Sequence, residues 1–92
     1  MTVGLFPLGR VVITLPALAA FDRNQQLPVK FLARHILGDF GDLGEEDVRA
    51  NHYAILNDLR VRSKYTLKDG TRISIITEAD RSSTCLMLVS DD

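Results

Sequence analysis

Polarity alternates most regularly between Arg60 and Val89. On one side of an extended chain fall Val61, Ser63, Tyr65 and Leu67; on the other fall Arg60, Arg62, Lys64, Thr66 and Lys68. Successive strand side chains point to opposite faces, so this stretch reads as a half-buried strand. The run from Thr71 to Thr77 repeats the pattern, with Thr71, Ile73, Ile75 and Thr77 opposed to Arg72, Ser74 and Ile76. The loop decides how the two pair. A two-residue Asp69-Gly70 turn sets Tyr65 against Ser74 and mixes apolar with charged on both faces. A three-residue loop, Lys68-Asp69-Gly70 with Gly70 left-handed in a bulge, sets Tyr65 against Ile73 and Leu67 against Thr71. Only the second keeps one face apolar, and it is the expected register. After the polar, glycine-free connection 78–82, Thr84 to Val89 is nearly continuously apolar and reads as a strand covered on both sides.

Upstream, Met1 to Pro7 reads as a loose lead-in. The β-branched run Gly9 to Thr14 is a candidate edge strand with Val11 and Ile13 on one side. Thr14 with Pro16 in the following turn signals a helix that ends near Asn24, with Leu18 and Phe21 as its apolar stripe. Pro28 opens a second helix whose inner face is Phe31, Leu32, His35 and Ile36, with Lys30 and Arg34 outward and Gly38 as C-cap. Asp42 and Glu45 resemble a capping box ahead of a third helix with an acidic first turn, its inner face read as Val48, His52, Ile55, Leu56 and Leu59. The expected architecture over residues 1–92 is one α+β domain: a three- to four-stranded antiparallel sheet, built on the C-terminal meander, with about three helices packed on one face.

Composition narrows the function classes. The chain is 46% hydrophobic and 25% charged with a net charge of −1, which makes no global case for nucleic acid or membrane. No apolar run approaches the ~20 residues of a membrane span, and no basic segment leads into a signal peptide. The single cysteine, Cys85, cannot form an internal disulfide, so a soluble cytoplasmic protein is expected.

Four constellations are candidates for chemistry or binding. His35 and Asp39, four apart, with His52 as a third ligand, could hold a metal, but a histidine on an apolar face is more often a hydrogen-bonded core residue. No metal or cofactor is expected. The segment from Gly38 to Asp47 is acidic and glycine-spaced. Its ordinary role is loop plus helix cap, and its functional reading makes Phe40 an exposed anchor ringed by carboxylates. Arg60, Arg62, Lys64, Lys68 and Arg72 place five cations within thirteen residues on the outer strand face, a surface for phosphates or for an acidic protein. No aromatic for base stacking lies among them. Glu78, Asp80 and Arg81, followed by Ser82, Ser83 and Thr84, lack a nearby histidine, a nucleophile elbow or a phosphate-cradling loop, so an enzyme is not expected.

The motifs His35-x-x-Gly38-Asp39-Phe40-Gly41-Asp42-Leu43 and Ile75-Ile76-Thr77-Glu78-Ala79-Asp80-Arg81-Ser82-x-Thr84, with Leu8-Gly9-Arg10-Val11-Val12, resemble a family of small uncharacterised proteins from plasmids and other mobile DNA. The likeness spans nearly the whole chain. Relatives often carry tryptophan where Phe40 stands, and a Leu-Pro-acidic-Tyr ending that this chain lacks. Some bear the label of a restriction-system methylation subunit, which this chain is far too short to fulfil. What the resemblance implies is genomic context: small proteins on mobile DNA often help the element establish itself, including by blocking host defence complexes such as CRISPR effectors or restriction enzymes. The leading expectation is therefore a non-enzymatic protein-binding module that contacts its partner through Asp39, Phe40, Asp42, Glu78, Asp80 and Arg81. A nucleic-acid-binding accessory protein using the basic face is the alternative, and a small metal-dependent hydrolase the second alternative.

Overall fold

The computed structural model describes residues 4–92. Its elements run β1 (Arg10–Ile13), α1 (Leu15–Arg23), α2 (Pro28–Ile36), α3 (Glu45–Leu56), β2 (Val61–Thr66), β3 (Arg72–Thr77), β4 (Ser83–Leu88) and a closing 3-10 turn, Val89–Asp91. The fold is α+β, and the four strands form one sheet in the order β1-β4-β3-β2. The hairpin adopts the register that keeps one face apolar: Tyr65 faces Ile73, Leu67 N–H donates to the Thr71 carbonyl at 2.8 Å, and Gly70 has φ +90°. The sheet is mixed where an antiparallel one is expected, because β1 joins the edge of β4 in parallel, Val12 beside Cys85.

Both helix starts with proline are as the sequence signals. Thr14 Oγ1 accepts from Ala17 N–H at 3.3 Å at the head of α1, and Pro28 opens α2. α2 closes in a Schellman motif: Asp39 N–H returns to the Arg34 carbonyl and Gly38 N–H to that of His35, with Gly38 at φ +89°. The cap of α3 differs from the expected box. Gly44 is the N-cap and no side chain bonds the free N–H groups, because Asp42 is turned to Thr66 Oγ1 at 2.7 Å.

Burial corrects several inner-face assignments. On α1 the buried side chains are Ala17, Ala20 and Phe21, with Leu18 half-exposed. On α3 they are Asn51 and Ala54, with Val48 and Ile55 alongside, whereas Leu56 is 83% exposed. The helix is rotated from its apolar stripe because Asn51 docks on the backbone of β2, as described below. β4 is not covered on both sides: Thr84 and Leu86 are buried, but Cys85 and Met87 on the outer face are only half-buried. Ile76 and Ser74 on that outer face are buried all the same. The C-terminal turn folds back beside them, and Asp92 accepts from Ser74 Oγ at 3.1 Å and faces Arg62 at 3.5 Å. Of the supposed lead-in, Met1 to Val3 lie outside the described residues. Phe6 is buried edge-on to His35, their ring centroids 5.1 Å apart, and Leu5 N–H donates to the Ile36 carbonyl.

Two apolar clusters fill the space between helices and sheet. Phe21, Phe31, Tyr65, Ile73, Ile75 and Leu86 make the larger; Phe6, Phe40, Ala54 and Val61 make the smaller. Ser63 separates them on β2, between Val61 and Tyr65.

Two glycines with positive φ should respond differently to a methyl group. At Gly41 (φ +73°) an added Cβ meets the Lys64 carbonyl oxygen at 2.0 Å, while at Gly70 it meets nothing within 4 Å. Gly41→Ala should cost about 3 kcal/mol or more, and Gly70→Ala about 1 kcal/mol from backbone strain alone. Urea unfolding of the two variants checks the difference.

Candidate functional site

The loop after α2 holds Asp39, Phe40 and Asp42, half of the residues singled out as contacts. Asp39 takes a two-point ion pair from Arg34, Nε to Oδ2 at 2.8 Å and Nη2 to Oδ1 at 3.3 Å, and also accepts from Gly41 N–H. The Arg34 hydrogen bond is the main reason that the Asp39 carboxyl lies below the usual range and Arg34 above its own. The Arg34 guanidinium lies over the Tyr65 ring, 4.7 Å from its centroid. The Tyr65 hydroxyl donates to the Asp39 carbonyl at 2.6 Å, and desolvation pushes that phenol up to about 12. Phe40, expected as an exposed anchor, is 2% exposed. Its ring packs edge-on to His52 and lies 6.5 Å from that of His35. An apolar side chain next to a free strand edge and three apolar neighbours is driven inward, so Phe40 is a core residue.

This loop covers the outer edge of β2. Lys64 N–H donates to the Phe40 carbonyl at 3.1 Å, and Asp42 N–H donates to the Lys64 carbonyl at 2.7 Å, a single parallel bridge centred on Gly41. Two residues back, Asn51 completes the edge: its Nδ2 donates to the Arg62 carbonyl at 2.7 Å and its Oδ1 accepts Arg62 N–H at 3.2 Å. The outward backbone groups of Arg62 and Lys64 are thereby satisfied, which removes an edge that could recruit another strand.

The turn between β3 and β4 is also internally committed. Arg81, at φ +60°, directs Nη1 to the Leu59 carbonyl at 2.6 Å and Nη2 to that of Ala54 at 3.0 Å, clamping the C-terminal end of α3. Hydrogen bonding from the Ser82 side chain, and then from Ser82 N–H at 3.0 Å, lowers the Asp80 carboxyl below its usual range, and Glu78 pairs with Arg60 at 3.2 Å.

His35 is fully buried and joins a chain of hydroxyls. Nδ1 lies 2.5 Å from Ser63 Oγ, and Nε2 lies 2.9 Å from Thr77 Oγ1. Thr77 Oγ1 lies 2.7 Å from Thr84 Oγ1, which donates to the Leu8 carbonyl at 2.7 Å. The carbonyl fixes the direction of every bond. Thr84 spends its one proton on Leu8 and so accepts from Thr77; Thr77 then accepts from Nε2–H, and Nδ1 accepts from Ser63. Both ring nitrogens are occupied, so His35 cannot join Asp39 and His52 as a metal ligand. Among the described residues no three His, Cys, Asp or Glu side chains are grouped to hold a metal ion.

The basic residues are divided. Arg60, Arg62 and Lys64 line one cleft of about 250 Å³ between β2 and α3, together with Leu43, Ala50, Asn51 and Asp47. Lys68 does not share that face as expected: it sits in the hairpin loop and lines a different cleft with α2 residues. Arg72 is exposed at the start of β3. Arg60 makes an exposed pair with Glu78, Arg62 pairs with the half-buried Asp92 carboxylate, and Lys64 makes no ion pair among the described residues. An exposed pair such as Arg60–Glu78 contributes about 0–1 kcal/mol, so a partner carboxylate could exchange with Glu78. Asn51 was not singled out from the sequence, since a lone Asn on a helix carries no signal until β2 lies beside it. No helix among the described residues is long and apolar enough to cross a membrane. No family model, curated protein or solved structure matches the chain.

Burial without a charged partner lowers His35 to about 4, against 6.5 for a free imidazole. Between those values the unfolded chain binds a proton that the folded chain refuses. Stability from this group is therefore complete above pH 6.5 and falls by about 3 kcal/mol as pH drops towards 4. An NMR titration should find His35 neutral at pH 5, as the Nε2–H tautomer, with unfolding free energy declining over the same window.

Proposed function

We propose that the protein is a non-enzymatic binding module that occupies an acidic surface of a protein partner through the cleft between α3 and β2. The supporting observation is the convergence of Arg60, Arg62 and Lys64 on one concave, partly apolar site, with Asp47 the one carboxylate in its lining. Lys64 is the cation of this cleft without an ion pair among the described residues, and an acidic partner surface could also engage Arg60 by displacing its exposed partner Glu78. The reading is strengthened by where the other candidates went. Asp39, Asp42, Asp80 and Arg81 each bond within the chain, and His35 is buried with its hydroxyl partners Ser63 and Thr77. Nucleic acid is the less favoured polyanion, because no aromatic side chain lines the cleft to stack on a base. The resemblance to mobile-element proteins makes a host defence complex the first partner to try.

Pull-down of a defence complex with the purified protein should recover a stoichiometric partner. Arg62→Glu with Lys64→Glu should abolish recovery, while Lys68→Glu, outside the cleft, should leave it intact. Recovery unaffected by the double reversal would refute the cleft. Duplex or single-stranded DNA bound more tightly than protein, with affinity falling steeply as salt rises, would replace this reading with the nucleic-acid one.

A further inference from the structure

We propose a second binding site, separate from the β2 cleft, that takes a small phosphomonoester carrying an apolar body. It lies where the β2–β3 hairpin loop meets the first turns of α2, in a cleft of about 400 Å³, within the size range of small-molecule sites. The two walls are brought together by specific bonds. Gln26 Oε1 accepts Lys68 N–H at 2.9 Å, and Asn24 Oδ1 accepts Asp69 N–H at 2.8 Å, which pins the hairpin loop to the α1–α2 corner. Lys68 is thus delivered to the same rim as Lys30 and Arg34 of α2. Phe31, buried and held against Phe21 and Tyr65 at centroid distances of 5.5 and 5.2 Å, forms a rigid floor, and the half-exposed Leu27 extends it.

The charge in this lining selects the ligand. No carboxylate lines the cleft. Arg34 is neutralised by Asp39, but Lys30 and Lys68 make no ion pair among the described residues. Gln26, whose oxygen accepts Lys68 N–H, adds the two N–H donors of its amide. Two uncompensated ammonium groups and an amide donor suit the charge of roughly −2 and the several acceptor oxygens of a phosphomonoester. A carboxylate would leave one cation unmatched. The Leu27–Phe31 floor gives the ester group a place to shed water, which inorganic phosphate cannot exploit. None of these residues lines the cleft on β2.

Phenyl phosphate titrated into isotope-labelled protein should produce saturable amide shifts centred on Gln26, Lys30 and Lys68. Binding should weaken about tenfold or more in Lys30→Gln with Lys68→Gln, exposed positions whose thermal midpoint should not change. Benzoate and inorganic phosphate should each bind more weakly than phenyl phosphate, and Arg62→Gln with Lys64→Gln should leave its affinity unchanged. The site is overturned by a response that does not saturate at millimolar ligand, by an affinity indifferent to the lysine double variant, or by shifts centred on Arg60, Arg62 and Lys64. Benzoate or inorganic phosphate binding as tightly as phenyl phosphate would overturn the ligand class.

Discussion

A buried imidazole with both nitrogens bonded governs how this small domain is assembled. His35 ties α2 to Ser63 on β2 and to Thr77 on β3, and through Thr84 on β4 the chain reaches the segment before β1. A polar side chain in the core costs several kcal/mol unless every donor and acceptor is paired, and here each one is. The chain works in one direction only, from Ser63 towards Leu8, because a carbonyl stands at its end and can only accept. It is therefore a geometrical specification as much as a source of stability. A shift in the β2–β3 or β3–β4 register would separate Ser63, Thr77 and Thr84 and strand the imidazole among Phe6 and Phe40.

The same logic accounts for the glycine- and aspartate-rich loop that follows α2. Its conspicuous residues do not face a partner; they finish a sheet. Gly41 lets backbone meet backbone, Asp39 and Asp42 anchor the loop to Arg34 and Thr66, and Phe40 fills the space behind. Asn51 does from a helix what a neighbouring strand would do, offering one donor and one acceptor to Arg62. With this edge closed, the cations of β2 stand beside α3 in a cleft and not along an open strand.

Much of the frame was legible in the letters. The hairpin register followed from requiring one apolar face across Tyr65 and Ile73, and the starts of α1 and α2 followed from Thr14, Pro16 and Pro28, because these are local constraints. His35 read correctly as a core histidine from its place on the apolar face of α2, and Ser63 was placed on the same inner face of β2. What escaped was set by partners distant in the chain. Phe40 among acids looked exposed because nothing nearby records that β2 will pass beside it. The turn of α3 was misjudged by its leucines, since the contact that orients it is one amide on a backbone of later sequence. Periodicity also missed the cover on the outer face of β3, against which Val89–Asp91 folds back while Asp92 bonds Ser74.

One topological fact bears on how the chain acquires this shape. β1 has a single strand neighbour, and that neighbour is β4, from the opposite end of the sequence. During vectorial synthesis the meander can zip up hairpin by hairpin, but Val11 to Ile13 must wait unpaired until β4 has been made. The sheet is thus sealed last along the side where its first-made and last-made strands meet.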